Sequence, residues 1–303
     1  MKRFLPVISV ILAGVLWGII SFFIKALSNA GLDAIQITFV RMAVSAPLLA
    51  VAVALINRKK LKISIKDIWM FIGTGIISIV LFNVCYFYAM IRSEASVAVI
   101  LLYTSPVFIM LLSALLFKEK VTIIKLIALI MTFGGCVMVA GISHGKSISP
   151  MIIVIGLASG LFYGLYTIFG RHALKKYDSL TVTVYTFIFG LIGTLPIGNA
   201  DLVIRTISNQ TKLILWCIGI GIVCTVLPYF LYTWGLARME SGKAAIIVAV
   251  EPLVGAVIGM TFYNESRNIT KILGIILILC AIVILNLPQK KSLNNEIKAN
   301  KNA

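Results

Sequence analysis

The sequence predicts an all-α integral membrane protein of ten transmembrane helices arranged as two inverted five-helix repeats. Three observations predict it: apolar runs of spanning length, basic residues gathered in alternate loops, and self-similarity at a constant offset of 146 residues. Composition agrees, with 60% hydrophobic and only 12% charged residues among 303. Soluble domains carry about 25% charged residues.

A helix rises ~1.5 Å per residue, so ~20 apolar residues cross a ~30 Å hydrocarbon core. Windowed hydrophobicity gives ten runs. They are Phe4–Ala26, Ala34–Ile56, Ile68–Met90, Ser96–Phe117, Thr122–Gly141, Met151–Ala173, Leu180–Ile197, Leu213–Ala237, Lys243–Tyr263 and Thr270–Leu287. The N-terminal MKRF and the apolar run behind it resemble a secretory leader. The run continues past Trp17 to Phe23 without a small-residue cleavage site, so it reads as the first span. The polar residues 289–303 read as a disordered cytoplasmic tail.

Orientation follows from the loops. With the N-terminus inside, cytoplasmic segments hold nineteen Lys and Arg and outside segments seven, with Arg41 inside a span. Both termini are then cytoplasmic. The net charge of +17 is this loop bias, with no aromatic-interleaved basic face for nucleic acid.

The repeat aligns residues 1–145 with 146–288. Identical pairs include Gly14/Gly160, Gly18/Gly164, Gly75/Gly221, Tyr86/Tyr232, Arg92/Arg238, Glu94/Glu240, Pro106/Pro252, Glu119/Glu265 and Lys125/Lys271. Five spans per half is an odd number, so the second half enters from the opposite face. Inverted repeats of this kind mark secondary transporters, with the site near the midplane between the halves. The glycines read as points of close helix approach, the two prolines as places where backbone opens, and Glu119 and Glu265 as structural carboxylates near helix N-termini.

Two segments, YAMIRSEASVAVILLYTSPVFIMLLSALLFKEKVT (Tyr88–Thr122) and YTWGLARMESGKAAIIVAVEPLVGAVIGMTFYNESRN (Tyr232–Asn268), share a small residue and an acid before the helix, Pro inside it and Glu after it. They resemble the two copies of the EamA domain of the drug/metabolite transporter superfamily, and the resemblance covers about residues 5–288. It implies the EamA/DMT fold, with a central cavity lined by both halves. It also implies movement of small metabolites, often amino acids, driven by a proton or substrate gradient.

Glu251 is the first site candidate, nine residues beyond Gly242 and beside Pro252. Nine residues is ~13 Å of helix, which puts a carboxylate near the midplane, where a charge costs ~3 kcal/mol or more. It reads as a proton-coupling group or a counter-ion for a substrate ammonium. The alternative is an ion pair with Arg41, which lies eight residues into the second run. Arg41 suits a substrate carboxylate or snorkels to the interface. Trp17, Tyr86, Tyr103, Tyr163 and Tyr232 are candidate cavity walls, against bundle packing as the bland reading. Asn83 is a further polar candidate, against helix–helix hydrogen bonding.

These residues point to a secondary permease in the cytoplasmic membrane, exporting an amino acid or related compound by alternating access, as a monomer or homodimer. Efflux of organic cations or drugs, and a non-transporting ligand sensor, are the alternatives. Five scattered cysteines and two distant histidines, His144 and His172, suggest neither metal nor disulfide. The chain has no phosphate-binding G-x-x-x-x-G-K-[ST] loop. His144 and His172 fall at opposite faces, so a membrane-embedded enzyme is disfavoured, and no cofactor is expected.

Overall fold

The computed structural model describes residues 4–93, 95–141, 149–263 and 268–287. The described residues are helices and connecting turns without a strand. Among the described residues, nine helices are long and apolar enough to cross a membrane. They are span 1 (Leu5–Asn29), span 2 (Ala34–Leu61), span 3 (Ile65–Met90), span 4 (Val97–Phe117), span 5 (Ile123–Ala140), span 6 (Pro150–Ala173), span 8 (Leu213–Leu236), span 9 (Ser241–Phe262) and span 10 (Ile269–Asn286). Span 7 is the apolar but shorter Ser179–Thr194, 16 residues long.

Side-chain caps start several of these helices, each occupying an orphan backbone N–H. Asp33 and Gln36 form a reciprocal capping box on span 2. Thr122 caps span 5 by accepting from Lys125 N at 3.3 Å, and its repeat mate Asn268 caps span 10 by accepting from Thr270 N at 3.2 Å. Span 7 stops at Thr194, three residues short of the expected Ile197, just before Pro196 and Gly198. Asn199, in the left-handed region at φ 46°, then caps a short helix over Ala200–Asn209. Hydropathy averaging passes over this helix. It is amphipathic, with Val203 buried and the ion pair Asp201–Arg205 exposed.

The repeat is visible in the packing. Span 4 breaks at Tyr103–Thr104 and span 9 at Val248–Ala249, 145 residues on and within one residue of the repeat offset. Each break precedes the proline of its half. Proline has no N–H for the carbonyl four residues back. Val248 O instead accepts from Glu251 N at 3.0 Å. The loosened backbone of each break lies against a glycine of the other half. A Cβ on Gly160 would stand 2.8 Å from Leu101 O, and one on its mate Gly14 2.9 Å from Val248 O. Gly18 and Gly164 repeat the pattern one turn on, against Glu251 O and Ser105 O. These glycines therefore sit at crossings of span 1 with span 9 and of span 6 with span 4.

Spans 3 and 8 carry π-helical stretches at related positions, Gly73–Leu81 and Ile222–Val226. Such stretches free backbone groups and recur at functional sites.

The end of the bundle carrying loops 57–67, 118–122, 174–178 and 237–240 is laced across the repeats. Glu119 accepts from Ser241 N at 2.8 Å and Gly242 N at 3.3 Å. It thus caps span 9 of the other half, not the helix next to it in sequence. Lys125 pairs with Glu240 at 2.5 Å, and within the second repeat Arg171 donates to Met239 O at 2.6 Å. Asp67 accepts from Lys176 at 2.6 Å and from Tyr177 at 2.7 Å. His144 and Glu265 lie outside the described residues.

Candidate functional site in the cavity between the repeats

Two joined cavities occupy the middle of the bundle and share Trp17, Phe82, Tyr103, Tyr163, Tyr229 and Glu251 as walls. The larger holds about 180 Å³ and extends past Arg41 and Asn83 to Ile24 and Ala34, away from the laced end. The smaller holds about 30 Å³ and reaches Thr167 and Tyr232. One water takes a share of about 30 Å³ in the liquid. The smaller space suits ordered water, and the larger a small organic molecule.

Glu251 stands in the first turn of the helix Val250–Phe262, immediately after the break in span 9. Unpaired N–H groups and the helix dipole favour an anion at such an N-terminus, the arrangement that broken helices give midplane sites. The Tyr163 hydroxyl from span 6 donates to Glu251 Oε2 at 3.2 Å. The carboxylate is partly buried and faces both cavities.

Arg41 lies in the unbroken helix of span 2 and is 9% exposed. It does not snorkel. Its Nε donates to Thr225 Oγ1 at 3.0 Å in the π-helical turn of span 8. The ion pairs among the described residues include neither Arg41 nor Glu251. The two opposite charges share one cavity wall without closing on each other, so a structural Arg41–Glu251 pair is not what the structure contains.

Aromatic rings fill the space between. Trp17 meets Tyr229 edge-on at 5.0 Å between centroids and Tyr232 at 5.6 Å. Tyr166 meets Tyr229 at 5.0 Å. Phe82 lies 5.2 Å from Tyr163 and 5.8 Å from Tyr86. The deeper hydroxyls are already engaged: Tyr232 with Thr167 and Tyr166 with Thr233, both at 2.7 Å. Engaged hydroxyls hold the rings in place and leave their faces to the cavity.

The EamA-like transporter family model matches residues 4–141 and again residues 150–287. The chain belongs to that family. An uncharacterized transporter of Archaeoglobus fulgidus is 27% identical over 91% of this chain and 94% of its own. A pseudopaline exporter of Pseudomonas aeruginosa is 26% identical over 94% of this chain and 99% of its own. A solved crystal structure superposes with a TM-score of 0.74 at 15% identity, covering 93% of this chain and 96% of that one. It shows the same fold.

In this family member the eight residues singled out from sequence come together. Trp17, Tyr103, Tyr163 and Glu251 line both cavities; Arg41, Asn83 and Tyr86 line the larger and Tyr232 the smaller. Asn83 donates to Ile79 O of its own span at 2.6 Å. Sequence reasoning missed Thr225, Phe82 and Thr38, and left Tyr229 among several scattered tyrosines. One signal would have found Thr225: subtracting the two halves. At the offset of 146, Arg41 faces Phe187, Thr225 faces Ile79 and Glu251 faces Ser105. Among the described residues, no three His, Cys, Asp or Glu side chains cluster as a metal site.

Proposed function

We propose that the chain is a secondary permease of the cytoplasmic membrane, with both termini cytoplasmic, that exports a small metabolite of the amino-acid class by alternating access. One observation carries this reading: a carboxylate at a broken-helix N-terminus and a guanidinium share an aromatic cavity between inverted halves. Glu251 is the proton-coupling group or the counter-ion for a substrate ammonium. Arg41, Trp17, Asn83, Tyr86, Tyr103, Tyr163 and Tyr232 bind the rest of the substrate. The export direction is supported by the relative named as a pseudopaline exporter. No catalytic step is assigned to any residue, since the chemistry required is binding and release on opposite faces.

Counterflow in proteoliposomes preloaded with each amino acid in turn, and with organic cations, tests the reading. Accumulation driven by an amino acid is the expected result. Accumulation only with carboxyl-free cations would replace the substrate class, and no accumulation by folded protein with any compound would contradict transport.

A further inference from the structure

Arg41 reaches the cavity and is held by span 8, its Nε donating to Thr225 Oγ1 at 3.0 Å. Thr225 in turn donates to Ile220 O, five residues back, at 2.9 Å. A hydroxyl has one proton and two acceptor sites. Spending the proton on the π-turn carbonyl leaves Oγ1 as an acceptor only, which fixes the edge of the guanidinium that it holds. A guanidinium carries five N–H donors in a planar fork. With Nε committed to Thr225, the two terminal nitrogens remain to offer parallel donors, the pattern that a carboxylate accepts.

The surroundings do not supply that carboxylate. The ion pairs among the described residues leave Arg41 out, and Glu251 accepts from the Tyr163 hydroxyl. Nor does the scaffold need the pair, because the symmetry-related places on spans 7 and 3 carry Phe187 and Ile79 beside the other π-helical stretch.

We propose that Thr225 is a positioning residue that sets Arg41 as a carboxylate reader. The substrate then carries a free carboxylate, held between spans 2 and 8, with its cationic end towards Glu251. This rests on the permease reading above and deepens it by fixing substrate class and orientation.

The test uses the full chain purified in nanodiscs. The probes are the twenty L-amino acids and their decarboxylated amines, with apparent affinity read from ligand-induced thermal stabilisation. The expected result is that at least one amino acid stabilises the protein and its amine does so at least tenfold less well. Thr225→Val then weakens the amino acid about tenfold, the size of one hydrogen bond to a charged group, and leaves the amine unchanged. Thr225→Ser, which keeps the hydroxyl, restores the amino acid and serves as the folding control. Equal weakening of acid and amine by Thr225→Val, no weakening of either, or no stabilisation by any carboxylate-bearing probe would overturn the proposal. Counterflow separates this failure from failure of the permease reading. Transport of a carboxyl-free compound removes the carboxylate reader and keeps the permease, whereas carboxylate binding without counterflow does the reverse.

Discussion

The two halves of this chain share their backbone geometry and differ in their chemistry. Gly14 and Gly160, Gly18 and Gly164, and the breaks before Pro106 and Pro252 recur at one offset and make the same crossings. The charged groups on the cavity, with Thr225 that holds Arg41, do not recur. Arg41, Thr225 and Glu251 have Phe187, Ile79 and Ser105 as mates. A feature demanded by packing has to appear twice in an inverted repeat, because both halves solve the same packing problem. A buried charge in the membrane interior that appears once is not required by the packing the halves share, and its cost there is the argument for a functional role.

Four outcomes sharpen or break that comparison. The largest concerns Glu251. Glu251→Gln retains substrate exchange in proteoliposomes but loses its response to a pH gradient, while Ser105→Ala in the other half keeps it. An unchanged gradient response in Glu251→Gln removes the carboxylate from proton coupling. Next, Arg41→Ala weakens substrate binding about 10- to 100-fold, the range for a hydrogen bond to a charged group, and Phe187→Leu changes it less than about threefold. Equal effects at both positions would make Arg41 a packing residue.

The third outcome is symmetric. Gly14→Val and Gly160→Val each force a side chain onto a carbonyl and destabilise by about 1–3 kcal/mol, read as paired falls in melting temperature. Tolerance at one and not the other would break the equivalence of the crossings. The smallest effect is at Tyr163. Tyr163→Phe removes the donor to Glu251, costs about 1.5 kcal/mol of substrate binding, and leaves the melting temperature within a degree or two.

The helical architecture was legible in the sequence because its causes are local and additive: spanning length and proline placement. The eight cavity-lining residues were legible for a related reason, since a polar or aromatic side chain deep in a span has few other reasons to be there. What stayed hidden depends on relations between distant residues. Thr225 is one hydroxyl among many until the π-turn of span 8 brings it to Arg41. Glu119 looks like a cap for span 5, its neighbour in sequence, and instead caps span 9, more than a hundred residues away. The helix Ala200–Asn209 was lost because Asp201 and Arg205 dilute its mean hydropathy, and only its 3.6-residue period marks it as amphipathic.

The most direct test of the central claim makes the halves chemically alike. The double variant Arg41→Phe with Glu251→Ser gives each site the residue of its repeat mate. The account predicts a monodisperse protein with a melting temperature near that of the unaltered chain and no counterflow with any substrate that the unaltered chain accumulates. Counterflow undiminished in the double variant would contradict it, and would return Arg41 and Glu251 to the scaffold.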